Sequence, residues 1–400
     1  MAAPTANTKL TRPGHNIFTQ RAMRTSGPQA FDTENFNAGQ IINVQKNIPL
    51  LQPLAHIIYR WRGRLGVTVA ITDLPQEAPF TVLRQIKIFG THTSLGTIVP
   101  FQASGEMLNG LDNVFDRGKD TVSYCNITVG GVTTYYNAQS LVKGLGAAFP
   151  IVGNYDIEVF WMLPVYPFGA NDFNALQYLW DARSWNQSLQ QQITCGDVTA
   201  FGTTGTRTLT AYGSASGVPS IDILLDYANL GPQLDASIAK AIVQRNDYFV
   251  SNSLVNAGNA VRLNLLQNAK TTNVLVKTGV LQAGSSNIYA TLSDSIIEQA
   301  ILRVNQSPIR NLQYDDVTDF FYAWRNGRFK KPGYLLLSLD DGEPSTNPHA
   351  ALRANEYSGS TQFDVAANII GPSATNLGEV MQEIILGEPV IATAQPAAAA

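Results

Sequence analysis

Residues 56–70 read HIIYRWRGRLGVTVA, and their alternation decides the fold. Tyr59, Trp61, Leu65, Val67 and Val69 fall on one face, and Ile58, Arg60, Arg62 and Arg64 fall on the other. Period two with one apolar face marks a strand half-buried on a core. The three arginines on the far face require water or acids beside them. They are read either as a solvated strand face or as a subunit contact made by Arg60, Arg62 and Arg64.

Working outward, the stretch from Leu51 to Phe115 reads strand, strand, turn, helix. The same order returns in the second half of the chain. NVLVKTGVL (273–281) matches the first strand, with Gly279 standing where Gly63 stands. VLRQIKIFG (82–90) is matched by AILRVNQ (300–306). ASGEMLNGLDNVFDRG (103–118) is matched by YDDVTDFFYAWRNG (314–327). Met107, Leu108, Leu111, Val114 and Phe115 share a helical face in the first copy, as do Val317, Phe320, Phe321 and Trp324 in the second. Both helices end at a glycine suited to the position after a helix terminus. An ordered set of matches at a nearly constant offset points to a duplicated unit.

Further alternating runs complete each half. YDIEVFWMLPV (155–165) and SLQQQITCG (188–196) belong to the first, with TRTLTAYG (206–213) and SIDILLDYANL (220–230) closing it. GYLLLSLDDG (333–342) and TQFDVAANII (361–370) belong to the second. About eight short strands per half, separated by Gly, Asn and Pro turns, predict β-sandwiches. Eight strands in two packed sheets is the jelly-roll arrangement. The expected division is an arm over 1–37, a first sandwich over 38–231 with a long exposed loop at 119–153, a linker helix over 232–246, a second sandwich over 247–391 and a low-complexity tail over 392–400. The linker rests on LDASIAKAIVQR (234–245), where Leu234, Ile238, Ala241 and Ile242 recur at helical spacing. The two sandwiches are expected side by side, each with its own sheets.

The chain has 400 residues and a net charge of −3, so it carries no global basic field for nucleic acid. Only 14% of its residues are charged, against about 25% in ordinary soluble domains. Such a surface is covered by neutral polar groups or by other protein. The first thirty residues differ: Lys9, Arg12, Arg21 and Arg24 occur with no acid before Asp32. No secretory h-region is seen and no apolar run is long enough to span a bilayer, so synthesis in the cytoplasm is expected. Cys125 and Cys195 give no disulfide framework and read as buried thiols.

No catalytic, cofactor or metal site is expected. His15, His56, His92 and His349 form no HxH or HxxxH pair. There is no P-loop or nucleophile-elbow motif. Asp340, Asp341 and Glu343 crowd one turn, which fits a hard cation less well than a plain acidic turn. Asp156 and Glu158 share a strand face, where solvated carboxylates are commoner than the acid/base pair of a glycosidase.

At this point the residues resemble a family. IIYRWRGRLGVTV with LRQIKIFG, and NVLVKTGVL, AILRVNQSPI, GYLLLSLDDG and STQFDVAANI, are similar to the double jelly-roll major capsid proteins of tailless icosahedral viruses. That lineage joins membrane-containing phages to adenovirus hexon. The similarity covers roughly 40–390 and rests on pattern, not on an invariant motif. It implies an all-β fold of two tandem eight-stranded jelly rolls, with short helices between the F and G strands. It implies homotrimers of pseudo-hexagonal outline tiling a virion shell, in contact with neighbouring capsomers and with minor capsid or vertex proteins. It further implies that the basic arm lies on the inner side, toward an internal lipid membrane or the genome. It assigns no catalytic residue and no cofactor. Two other readings stand beside it: a vertex or spike protein that binds a host glycan, and, more distantly, a carbohydrate-active β-sandwich enzyme. Trp161, Trp180 and Trp185 are the only residues that hint at a sugar cleft, and Trp161 already reads as core.

The helix at 314–325 yields a direct test. Burying Phe320, Phe321 and Trp324 contributes about 1.5–3 kcal/mol each. Trp324→Ala is expected to lower the melting temperature and the folded yield by leaving a cavity, and an unchanged melting temperature removes that placement.

Overall fold

A computed structural model describes residues 27–50, 52–115, 123–137, 152–167, 178–186, 189–228, 242–249, 260–264, 270–282, 288–293, 297–304, 307–313, 333–338, 352–353, 361–367 and 376–386. The first half contains β1 (Gln29–Asn35), β2 (Ile41–Val44), β3 (Leu54–Val69), β4 (Leu83–His92), β5 (Gly96–Ala103), helix α1 (Gly105–Phe115), β6 (Ser123–Val129), β7 (Val132–Asn137), β8 (Gly153–Pro164), β9 (Gln190–Cys195), β10 (Thr206–Thr210) and β11 (Ser220–Tyr227). The second contains β12 (Ile242–Phe249), β13 (Ala260–Asn264), β14 (Lys270–Leu281), β15 (Tyr289–Leu292), β16 (Ile297–Val304), β17 (Ser307–Gln313), β18 (Tyr334–Ser338), β19 (Leu352–Arg353), β20 (Thr361–Ala367) and β21 (Asn376–Leu386).

The pairing reveals the duplication. In the first half one sheet runs β1-β11-β3-β8 and the other β2-β9-β4-β5; in the second they run β12-β21-β14-β18 and β13-β20-β16-β17. Set hairpin β6–β7 and the short strands β10, β15 and β19 aside, and each half has, among the described residues, eight strands in one order. The first lies beside the eighth, then the third, then the sixth; the second lies beside the seventh, then the fourth, then the fifth. This is the jelly roll, built twice.

Strand β3 is the axis of the first roll. Tyr59, Trp61, Leu65 and Val67 are buried, while Arg60, Arg62 and Arg64 are half-buried on the far face. Val69 departs from its expected face: it ends the strand and is exposed. Across the sandwich the Tyr59 hydroxyl donates to Gln191 Oε1 on β9 at 2.6 Å. Trp61 packs edge-on against Phe36, and Trp161 on β8 packs edge-on against Phe80. Cys125 and Cys195 are buried thiols, and burial pushes both up to about 12, which leaves little reactive thiolate.

Several expectations need correction. Residues 29–35 were assigned to the arm but form β1, paired with β11. Their apolar alternation is weak because an edge strand buries little; Phe36, fully buried, anchors it instead. The stretch before α1, read as a turn, is β5; Pro100 hides it in the sequence, since proline argues against a central strand. The linker helix does not reach residue 246. Ile242–Phe249 is a strand, and its neighbours β21 and β5 give its backbone partners that a helix would leave unpaired. The rest of that segment, residues 232–241, lies outside the described residues, as do the 314–325 helix and the tail. The loop expected over 119–153 contains a hairpin, β6–β7, that extends the first sheet along β8. Finally, the two rolls do not keep separate sheets. β5 and β12 pair in parallel at Phe101–Arg245 and Gln102–Asn246, and this fuses two sheets into one of ten strands.

Candidate functional site: the joint between the rolls and the outer arginine face

Helix α1 enters the second roll. Ser104 caps it: its hydroxyl accepts the Met107 N–H at 3.0 Å and donates to Glu379 Oε1 at 3.0 Å. The ring of Tyr334 on β18 fills the space over Gly110, where a Cβ would lie 2.1 Å from it. One turn earlier Glu106 reaches Lys277 on β14. Lys277 Nζ lies 2.5 Å from Glu106 Oε2, 2.7 Å from Glu77 Oε2 and 4.0 Å from Glu379 Oε2. Glu77 and Glu106 belong to the first roll, Glu379 and Lys277 to the second. Asn109 Nδ2 and the Tyr334 hydroxyl both donate to Glu77 Oε1, at 3.1 and 2.8 Å. Arg84 stands 3.9 Å from Glu106.

Apart from the half-buried Arg84 these groups are buried, and Lys277 is fully so. Burial opposes its charge, but Glu106, Glu77 and Glu379 outweigh that and hold it protonated more firmly than a free lysine. Glu106 moves the other way from a salt-bridged carboxylate. Burial raises it, Lys277 only partly offsets this, and Glu77 adds repulsion. Burial is the largest cause, and Arg84 joins Lys277 in opposing it.

A second cation crosses the same joint. Arg245 on β12 donates through Nε to Glu383 Oε2 at 2.8 Å and through Nη1 to the Pro164 carbonyl at 2.8 Å; Nη2 reaches the Tyr166 carbonyl. Asn273 on β14 donates to Glu383 Oε1 at 2.7 Å. Tyr166 carries the contact into the first roll: its hydroxyl lies 2.7 Å from His56 Nε2, and His56 Nδ1 lies 3.0 Å from Asp226. His56, at a strand start in the sequence, is thus a brace at one end of the first roll.

The arginine ladder finds its acids within the chain. Arg60 donates twice to Asp222 Oδ2, at 2.9 and 2.7 Å, and Arg62 approaches the same oxygen at 3.0 Å. Arg64 grips Asp156 with two bonds of 2.8 Å, and the Gly213 N–H adds a third at 2.8 Å. Arg60 faces Asp222 across β11, and Arg64 faces Asp156 across β8. The Arg64 hydrogen bonds hold the Asp156 carboxyl below the ordinary carboxylate range against the opposing effect of burial. Glu158 stands opposite Arg62 on β8, so three guanidinium groups and three carboxylates occupy this sheet face and their charges balance. Glu158, the other half of the supposed acid pair, accepts a weak bond from Asn126 at 3.4 Å. Trp180 and Trp185 are buried and pack on each other at 5.4 Å, so they line no open cleft.

Of the site residues read from the sequence, Arg60, Arg62 and Arg64 are brought together on one face. Lys9, Arg12, Arg21 and Arg24 lie outside the described residues. The joint was missed, although a signal for it exists. Lys277 interrupts NVLVKTGVL, and Glu379 and Glu383 interrupt LGEVMQEIIL. Charges inside apolar strands are expensive unless paired.

No protein-family model matches the chain, and no curated protein sequence matches it. Solved structures do. The STIV MCP aligns over 89% of this chain and 95% of its own length, with a TM-score of 0.57 and 12% identity. A chain of the Sulfolobus Turreted Icosahedral Virus structure aligns over 90% and 89%, with a TM-score of 0.56 and 13% identity. The PBCV-1 virus capsid aligns over 92% and 95%, with a TM-score of 0.53 and 10% identity. The shared feature is the fold, a pair of jelly rolls, and the similarity extends over both halves of this chain.

Two predictions follow from the charges. Lys277→Met leaves Glu77 and Glu106 buried without their cation, and is expected to cost about 3–5 kcal/mol, read from the urea midpoint. For Asp156 the folded carboxyl titrates below the unfolded one, so its contribution is present above the unfolded value and lost as pH falls through the folded one. Asp156→Asn should therefore be less stable than wild type at neutral pH, with the difference vanishing in acid; equal midpoints at neutral pH remove the assignment.

Proposed function

We propose that this chain is a structural capsid protein, the repeated building block of an icosahedral virion shell. The observation that carries this reading is the order of eight strands repeated in both halves, together with a fold similarity to capsid structures over about nine-tenths of the chain. Its partners are copies of itself, as trimers and then as neighbouring capsomers, and its location is the virion. Two equivalent rolls per chain let a closed three-fold unit present six similar sides, which suits a near-hexagonal lattice. The low charge supports it as well, since large permanent contacts are comparatively apolar. The half-buried face of Arg60, Arg62 and Arg64 is a side available to a neighbouring subunit. No catalytic role is proposed. The glycan-binding reading loses ground because Trp180 and Trp185 are interior.

Residues 1–26, carrying Lys9, Arg12, Arg21 and Arg24, act in this proposal as a basic clamp. Their targets are an acidic subunit face, lipid headgroups or genome phosphates. Extended chain reaches about 3.3–3.6 Å per residue, enough to cross to a neighbour. Removing residues 1–26 is expected to leave folded trimers and impair closed shells, with raised salt reproducing part of the defect by screening. The check is sizing in solution together with particle assembly and copy number. Full-length monomers would remove the trimer, a few tens of copies per particle would indicate a vertex protein, and normal shells from the truncated chain would remove the clamp.

A further inference from the structure

Hairpin β6–β7 adds two strands to the first sheet beyond the four of the jelly roll. Its turn residues, Gly130 and Gly131, have φ of 57° and 83°. Positive φ at both central residues is the type I′ turn of a two-residue hairpin. That turn fixes which backbone groups face which way. Val129 opposes Val132, Ile127 opposes Thr134 and Cys125 opposes Tyr136. In such a hairpin these pairs exchange backbone bonds, and the pairs between them, Thr128–Thr133 and Asn126–Tyr135, do not. The N–H and C=O of Thr133 and Tyr135 therefore point away from β6, along an edge that pairs with no other described strand.

Sheets protect open edges with charge, proline, a bulge or shortness. β7 has none of these. It reads VTTYYN, runs six residues and keeps continuous register. The whole hairpin from Ser123 to Asn137 contains no Asp, Glu, Lys, Arg or Pro. Val132 is 69% exposed and Tyr135 is 72% exposed. Other strands at the sheet ends carry protection, apart from the five-residue β18, which is likewise uncharged. β1 has a register shift and bears Asp32 and Glu34. β17 contains Pro308, β13 contains Arg262, and β2 and β15 have four residues each.

We propose that β7 is an assembly edge that pairs antiparallel with β7 of a second copy of this chain. A strand without charge has no code for selecting an acidic or basic partner. A two-fold pairing of like with like needs no second, complementary surface. Centred on Tyr135, the pairing sets Tyr135 against its own counterpart and Thr133 against Asn137, so every outward backbone group finds a partner. The exposed tyrosines then meet as a cross-strand aromatic pair. A two-fold contact of this kind joins one three-fold unit to the next and does not close the trimer. The inference rests on the shell reading, which supplies the second copy.

The test uses the full-length protein. Thr133→Pro removes an outward N–H without touching the β6 ladder, a position where an edge strand tolerates proline. Tyr135→Lys adds the missing charge, and Thr134→Pro is the control that breaks the hairpin. Association is followed by sedimentation velocity over a range of concentrations, and the Thr133 and Tyr135 amides by hydrogen–deuterium exchange. Thr133→Pro and Tyr135→Lys should keep the wild-type melting temperature and the trimer. Association between trimers should need at least about tenfold more protein. In the wild type the two amides should become protected on assembly. If Thr133→Pro lowers the melting temperature, Tyr135→Lys decides. Wild-type association by Tyr135→Lys, or fast exchange of both amides in assembled protein, overturns the β7 edge and leaves the shell standing. Protection that appears only when a different protein is added also overturns it. A full-length chain that stays monomeric at every concentration overturns the shell reading and this inference together.

Discussion

A buried ammonium shared by three carboxylates holds the molecule together. Lys277 sits in the middle of a sheet of the second roll, flanked in register by Glu379 on one side and Tyr334 on the other. Glu77 and Glu106 come to it from the first roll. A buried charge cannot be left without its partners, so this cluster tolerates only the relative placement of the rolls that brings all of them to Nζ. Helix α1 follows from it. The helix must start where Ser104 can both cap it and reach Glu379, and it must show Gly110 to Tyr334 because only a bare backbone fits there.

The fused ten-stranded sheet and the Arg245 cluster make the same joint twice over. The strand pairing of β5 with β12 is only two rungs long, which alone would hold little. Arg245 lies on one of those rungs and ties Glu383 to two carbonyls at and just past the end of β8. Backbone pairing sets the register, and the guanidinium fork fixes direction and distance. The result is a two-domain chain whose interface resembles a protein core with a few compulsory charges.

The charged residues sort by burial. Those at the joint determine geometry, because separation would expose or orphan them. Those on the β3 ladder are half-open to water, where an ion pair contributes about 0–1 kcal/mol. Their role is to keep β3, β8 and β11 in register. Conversely, the hairpin β6–β7 has no charge at all and shows aliphatic and aromatic side chains to solvent. A sparsely charged chain thus places its ions where they fix shape and omits them where strands stay open.

Much of the architecture was legible in the sequence. The alternation in 56–70, the matching run at 273–281 and the helical spacing of Met107, Leu108 and Leu111 fixed the strands, the duplication and α1, because each is a local periodicity set by backbone geometry. The thiols and Trp161 were placed in the core for the same reason. What the sequence left open were partnerships at long range. The acids facing Arg60 and Arg64 stand on strands far away in the chain, and no local pattern pairs them. Pro100 disguised β5, and a weakly amphipathic edge disguised β1, since both owe their structure to a neighbour. Helical spacing at 238–242 was overruled at Ile242 by two strands waiting to be paired. Lys277 shows the limit most clearly. One charge in an apolar strand announces that a partner exists, but only the packing of one roll on the other brings Glu77, Glu106 and Glu379 to it.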